Sequence, residues 1–502
     1  MTTREKLNSI AEKHIIILDG AMGSVIQTLN LDEKSCRGNL FTDHSAPLLG
    51  CNDLLCLTRP GAIGAIHDTY LEAGADIIET CSFNSTSVKL ADYELENLSY
   101  KISASAARIA RKSADKFTTN EKPRFVAGSI GPTSKSASLN EIGWDELEAS
   151  YYDNARGLFD GGADIFLIET ISDTLNAKAA LHAVNRLLEE KHINMPIIVS
   201  ASVSDKGKLL SGQTLEAFFI SLQHLSHNNM PWAIGLNCTH NAESLLPHLR
   251  QLSEIAPCPV IAYPNAGHPN QYGRYEEIPE TMAENIELFL KEGLVNIVGG
   301  CCGSTPAHIA AIADKAYNIT PRKIPNIPRS IVFTGLETFN IENNIVYLNK
   351  EEDGNIVKIE ADNEQEIIDL LNKALSNRYM AKMPFYINSC KENVLIAGLK
   401  KLQGHGFAGP ISLENGEAEF LKKAKLIQSY GAAAVIKLTD EHGKDDDHSK
   451  EKIAQRAYRL LHEIGYFADD IVFYTNTEIP SSAENSICRW IRDNCPGAVI
   501  AL

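Results

Sequence analysis

The 502-residue chain lacks several features, and each absence narrows what it does. No apolar run is long enough to cross a bilayer, and the opening Met1-Thr2-Thr3-Arg4-Glu5-Lys6-Leu7 carries no apolar signal core, so a cytoplasmic location is expected. Basic residues are in the minority. With 47 Lys and Arg against 64 Asp and Glu, the formal net charge is -17, which repels phosphate backbones and argues against non-specific nucleic-acid binding. There is no disulfide framework, because the eleven cysteines are odd in number and irregular in spacing. Most of them, such as Cys51, Cys56, Cys258 and Cys390, read as small buried hydrophobes or surface thiols. What is present is an ordinary globular composition, 44% hydrophobic and 22% charged, with length for two domains.

The first part alternates short apolar runs with longer helical patterns. Strands are predicted at 14–20, 75–83, 124–131, 163–170, 196–203, 233–240, 260–267 and 296–304. Each is apolar on successive residues, as in Ile15-Ile16-Ile17-Leu18, which is how a strand buried on both faces of a parallel sheet reads. Helical faces such as Ile63, Ile66 and Tyr70 lie between them. Eight such units over about 325 residues predict an α/β fold of the (β/α)8 TIM-barrel type, for which ~250 residues is typical, with the excess in an insertion between Gln27 and Pro60. The prolines Pro321, Pro325 and Pro328 mark a linker, so the domains are placed at 1–325 and 326–502. The second part again reads as α/β but is too short for a full barrel, giving a smaller, incomplete, partial barrel-like domain. Its last residues, Ala498–Leu502, read as a strand on an open hydrophobic edge, an association hazard.

The chemistry gathers at the strand ends, where barrel enzymes build their sites. Cys238 follows one predicted strand in Gly235-Leu236-Asn237-Cys238, and Cys301 and Cys302 follow another in Gly299-Gly300-Cys301-Cys302-Gly303. Neighbours on a regular strand point to opposite faces, but flanking glycines free the backbone to bend both sulfurs toward one point. Two buried cysteines in a glycine-rich turn are the plain alternative; the third cysteine at a matching strand end favours three corners of a zinc tetrahedron with the fourth open. Three thiolates on a divalent zinc suit it to holding a substrate thiol as a nucleophile. Asp19 and Glu169 can hold an ammonium group, and the amides of the turn Asp19-Gly20-Ala21-Met22-Gly23-Ser24 can hold a carboxylate. For Asp19 and Glu169 the competing readings are a turn-forming carboxylate and a structural ion pair.

These motifs sit in longer runs: Ile17-Leu18-Asp19-Gly20-Ala21-Met22-Gly23, Ala75-Asp76-Ile77-Ile78-Glu79-Thr80, Asp173-Thr174-Leu175-Asn176-Ala177-Lys178-Ala179, Pro264-Asn265-Ala266-Gly267 and Asn296-Ile297-Val298-Gly299-Gly300-Cys301-Cys302-Gly303. Through them the first 325 residues resemble the homocysteine-binding domain of the cobalamin-dependent methionine synthase family. The resemblance implies that Cys238, Cys301 and Cys302 bind catalytic Zn2+, that the sulfur of homocysteine completes the tetrahedron, and that Glu169 and Asp19 bind the head group. It further implies that Asn265 fills the fourth zinc position when substrate is absent. Cys81 stands where the family more often has asparagine.

The second part is similar to a degenerate, truncated form of the pterin-binding barrel of the same family, through Lys401-Leu402-Gln403-Gly404-His405-Gly406 and Tyr430-Gly431-Ala432-Ala433-Ala434-Val435. It departs from that pattern at Asn388, where a carboxylate is expected, and at Gly409, where an asparagine is expected; Asn476 matches one pterin contact. Folate binding by this chain is therefore not expected. No Asp-x-His-x-x-Gly run for binding cobalamin occurs. The expected activity is a zinc-dependent homocysteine S-methyltransferase that forms methionine, with methylcobalamin delivered in trans on a separate cobalamin-carrying protein. The competing readings are a cobalamin-independent enzyme using S-methylmethionine or betaine, and a non-catalytic binding subunit.

Overall fold

The computed structural model describes residues 1–223, 230–327, 330–348, 356–475 and 486–502. The chain divides into two units, one of Met1–Ser211 with Pro231–Ile327 and one of Gly212–Met230 with Pro328–Leu502. The second unit thus takes in a segment that sequence order alone leaves in the first half. Its helix Leu215–Gln223 is anchored there, with Thr214 N–H donating to Leu336 O and the Gln213 amide to Gly335 O.

The first unit is an α/β barrel of eight parallel strands: β1 (Ile16–Ile17), β2 (Ile77–Glu79), β3 (Phe125–Ile130), β4 (Ile165–Ile171), β5 (Ile197–Ala201), β6 (Ala233–Asn241), β7 (Val260–Asn265) and β8 (Ile297–Val298). Each pairs with its sequence neighbour, and β8 returns to β1 with Ile16 opposite Ile297. A bridge between Leu18 and Ile77, with Asp19 N–H donating to Ile77 O at 3.0 Å, joins β1 to β2 and closes the ring. The continuous apolar runs have the predicted cause. Every residue of β3, β5 and β7 is buried, because inward positions fill the barrel and outward positions meet helices. Leu18, Ile77, Leu167, Ile198, Ile261 and Ile297 belong to the central cluster. The helix Thr3–Ala11, started by a Thr2–Glu5 capping box, adds Leu7 and Ala11 to that cluster beside Trp232, at the end where the strands begin.

At the opposite end β4 and β6 lose regular register, between Ile168 and Ile171 and between Asn237 and Asn241. Such irregularities re-aim side chains, and these carry Glu169 and Cys238. The insertion after β1 is ordered by Glu33, whose carboxylate accepts from Leu48 N–H and Leu49 N–H while pairing with Arg37. It packs Leu48, Cys51 and Leu54 into a satellite core. Cys51 and Cys56 are buried and Cys390 is exposed.

The second unit holds a hairpin, β9 (Val332–Thr334) with β10 (Thr338–Asn340), and a seven-stranded parallel sheet. The sheet comprises β11 (Ile345–Val346), β12 (Val357–Glu360), β13 (Phe385–Asn388), β14 (Phe407–Leu413), β15 (Ala433–Asp440), β16 (Ile471–Tyr474) and β17 (Val499–Ala501). Its order, β11-β17-β16-β15-β14-β13-β12, is that of a barrel unrolled between β11 and β12. This corrects the expectation for the last strand. β17 is not an edge, because β11 covers it, with Leu502 N–H donating to Val346 O at 3.0 Å. Asn476 lies outside the described residues. Among the described residues no helix is long and apolar enough to cross a membrane.

One core residue makes the barrel unit acid-sensitive. His67, in the helix Pro60–Glu72, is fully buried and neither ring nitrogen has a hydrogen-bond partner among the described residues. Burial disfavours the imidazolium and pulls its pKa down to about 4. The unfolded chain takes up that proton near the ordinary ~6.5, so stability is lost as pH falls from about 6.5 toward 4. Thermal unfolding of His67→Phe is therefore expected to lose less Tm between pH 7.5 and 5 than the parent chain loses. Equal losses in the two proteins contradict this assignment.

Candidate functional site

The three cysteines predicted to act together do come together. Their sulfurs lie within 4.8 Å of one another, and Cys238 Sγ is 3.8 Å from Cys302 Sγ. Two backbone devices achieve this. Cys238 and Thr239 adopt left-handed φ of 56° and 57°, a costly conformation for residues with a Cβ, and so leave the strand direction of β6. After β8, Cys301 N–H donates to Pro264 O at 2.7 Å and Ala266 N–H donates to Cys302 O at 2.9 Å, which clamps the turn onto the end of β7. Gly303, at φ 83°, continues the turn; a Cβ there would lie 2.3 Å from Tyr275 Cβ. Asn237 reaches the same turn from β6, its amide donating to Cys301 Sγ at 3.8 Å and to Thr170 Oγ1 at 2.8 Å.

The metal-free trio is electrostatically uneven. Contacts from the Cys238 and Cys301 thiols draw the Cys302 thiol down to about 3, with a further contribution from Tyr275. The Cys301 thiol is pushed up by the same sharing and by burial. Sharing among the three sulfurs therefore favours ionisation within the cluster, and a thiolate is the form that a divalent cation takes.

The predicted carboxylates are buried at the same rim. Both oxygens of Asp19 accept Glu79 N–H at 3.1 Å. Glu169 accepts from the Ser129 hydroxyl and from the Tyr263 hydroxyl. Glu79, whose Oε1 has no hydrogen-bond partner among the described residues, completes a trio of acids. Burial pushes all three carboxyls up, with mutual repulsion adding to the rise for Asp19 and Glu79; Glu169 reaches about 7. Buried acids held against desolvation call for a cation.

Cys238, Cys301, Cys302, Glu79 and Glu169 line one cavity of about 1010 Å³, together with Ala21, Met22 and Gly23. The helix Met22–Thr28 begins at Ala21 without a side-chain cap. The Ala21 amide itself is taken by Ser304 Oγ, so it is not free for a ligand. Asp19, Gly20 and Asn265 do not line the cavity; they stand behind it. Asn265 is buried at the end of β7, with Oδ1 lacking a partner among the described residues, directly before the Ala266 amide that binds Cys302. Three sulfurs within 4.8 Å are a donor set that would hold a divalent cation such as zinc.

Sequence reasoning placed Glu79 among the polar strand ends without giving it a role, and passed over Asp53, Arg274 and Tyr275. Glu79 follows Ile77-Ile78 just as Glu169 follows its own apolar strand, and that parallel was the available signal. Asp53 sits in the insertion after β1, where Asn84 N–H donates to it at 2.6 Å and burial raises its carboxyl to about 6. Cys81 lies beside it, Sγ 3.8 Å from Asp53 Oδ1, on the cavity wall. Arg274 and Tyr275 come from the loop after β7, which has no sequence signature; Arg274 is the cation among the charged lining residues.

A family model described as homocysteine S-methyltransferase matches residues 16–316. The homocysteine methyltransferase MmuM from Escherichia coli is 22% identical to this chain. In its metallated form the match covers 62% of this chain and 100% of that one, with a TM-score of 0.49. In its oxidized form it covers 62% and 97%, with a TM-score of 0.48. An aldo/keto reductase from Brucella melitensis is 12% identical over 61% of this chain and 90% of that one, with a TM-score of 0.33.

The raised Glu169 carboxyl sets a pH signature in the metal-free protein. A carboxyl whose pKa is higher in the folded state adds stability below the ordinary ~4.3, and that contribution is lost as pH rises through about 7. Glutamine keeps the neutral form at every pH. The Tm of Glu169→Gln relative to the parent is therefore expected to improve by a few degrees, ~2–5 °C, between pH 5 and 8.5. A constant difference across that range contradicts the burial of an ionising Glu169.

Proposed function

The chain belongs to the homocysteine S-methyltransferase family, and from that premise we propose that it is a zinc-dependent enzyme of the cobalamin-dependent methionine synthase type. The observation that carries the reading is the convergence of Cys238, Cys301 and Cys302 within 4.8 Å at a cavity that also holds Glu79 and Glu169. Zinc bound by the three sulfurs supplies a Lewis acid that keeps the homocysteine sulfur as a thiolate at neutral pH.

The chain's own residues do the rest. Glu169 and Glu79 receive the substrate ammonium, with Asp19 behind them fixing the Glu79 backbone. Met22 and Gly23, the first turn of an uncapped helix, line the cavity and would take the carboxylate. Gly20 and Ala21 shape that turn, and Asn265 supports the cysteines from behind. Transfer forms a sulfur–carbon bond and breaks the bond between the methyl carbon and its donor, which keeps the electron pair; the thiol proton leaves to solvent. Alignment of sulfur with the methyl carbon supplies the rate.

The donor we propose is methylcobalamin brought by a separate carrier protein. Leu40, Leu49, Leu139 and Tyr272 are exposed apolar residues on connections that follow strands, the end from which a carrier would approach the cavity. We read the second unit as a truncated pterin-binding barrel that no longer holds folate. Asn388, where a carboxylate is expected, is engaged by the Tyr386 hydroxyl and by Glu360, which supports that reading. A cytosolic setting keeps the thiols reduced. A second reading, a small cationic donor such as S-methylmethionine or betaine, is favoured by the acids Asp53, Glu79 and Glu169 on the cavity wall.

The test is metal content with parallel assays of free methylcobalamin, S-methylmethionine and betaine. The expected result is about one zinc per chain and methionine from methylcobalamin. Cys302→Ser is expected to lose zinc and more than ~100-fold in kcat/KM. Full activity in that variant removes the zinc role, and turnover with a cationic donor alone moves the enzyme to the second reading.

A further inference from the structure

The turn that faces the substrate and the turn that carries two metal ligands are sewn together by a buried serine. Ser304 is fully buried. Its hydroxyl accepts Ala21 N–H at 3.1 Å and donates to Cys301 O at 2.6 Å. The Tyr70 hydroxyl, also fully buried, spans the same gap, 3.2 Å from Ala21 O and 3.1 Å from Ser304 O. Two further bonds run in parallel: Gly303 N–H to Ser24 Oγ at 2.9 Å and Gly300 N–H to Asp19 O at 3.2 Å. There is no slack between the parts. A Cβ on Gly20 would lie 2.7 Å from Ser304 Oγ and 2.9 Å from the Tyr70 ring.

We propose that Ser304 is a positioning residue that couples the metal site to the head-group site, so that zinc and the amino-acid end of the substrate bind cooperatively. The inference rests on the zinc and homocysteine reading above and adds a linkage to it. The cysteine turn lies between Gly300 and Gly303, so the placement of its backbone rests on these bonds and on what its sulfurs hold. Metal binding fixes Cys301 and Cys302. The Ser304 hydroxyl, bonded to both turns at once, carries the largest part of that order to Ala21, directly before the first helical turn that lines the cavity. A head group that orders Ala21–Ser24 returns the effect to the cysteines by the same bonds, because coupling between two sites is reciprocal. Serine has one proton and free lone pairs, which is what a group placed between an N–H and a carbonyl requires.

The test uses the full reduced chain. Its zinc affinity is measured by chelator competition, with and without saturating norleucine. Norleucine carries the head group and an alkyl chain in place of the thiol, so no ligand sulfur binds the metal, and the Ser304 variants separate the part of the effect that travels through the hydroxyl. The parent is expected to bind zinc about tenfold more tightly with norleucine present. Ser304→Ala is expected to lower that factor to about threefold or less, because the Gly303–Ser24 and Gly300–Asp19 bonds remain, Ser304→Thr to keep it because the hydroxyl remains, and Tyr70→Phe to reduce it by less than Ser304→Ala does. An undiminished factor in Ser304→Ala overturns the role of Ser304. A parent that binds both ligands without mutual tightening removes the coupling alone. A parent that binds no zinc removes the functional reading and the coupling with it.

Discussion

Bringing three sulfurs within 4.8 Å is a demand that the backbone must meet before any chemistry follows. Thiol side chains are short, so the main chain has to carry them to one point. The barrel meets the demand at two strands that flank β7, with left-handed residues near the end of β6 and a clamped glycine turn after β8. The closed ring of strands fixes where those ends lie. Residues from widely separated parts of the chain then face one cavity.

The site is stored against an energetic gradient. Desolvation raises the carboxyl pKa values of Asp19, Glu79 and Glu169, and repulsion from neighbouring acids for Asp19 and Glu79, and from Cys238 for Glu169, adds to the rise. Under the proposed function, a metal cation and a substrate ammonium would offset these costs. Stability given up at the rim is the usual counterpart of a preorganised site. The first unit offsets it with a filled barrel interior and a helix packed across the end where the strands start.

Much of this was legible in the sequence, and for physical reasons. Strands buried on both faces leave continuous apolar runs, so β3, β4, β5 and β7 could be located from composition alone. Cysteines in glycine contexts at two strand ends announced a shared function. Where legibility ended, the signal was tertiary. A two-residue strand such as Ile345–Val346 cannot declare that it covers the last strand of the chain. Asp53 reaches the cavity from an insertion whose course is set by Glu33 and Arg37 contacts rather than by a periodic pattern. Asp19 and Glu169 read alike as strand-end acids, yet Glu169 lines the cavity while Asp19 stands behind it.

The account reduces to one coordination sphere with a place kept for a substrate sulfur. X-ray absorption at the zinc edge of the loaded protein, recorded before and after addition of homocysteine, tests it most directly. The account predicts three sulfur neighbours without substrate and four with it, at about 2.3 Å. An unchanged sulfur count on adding homocysteine would contradict it.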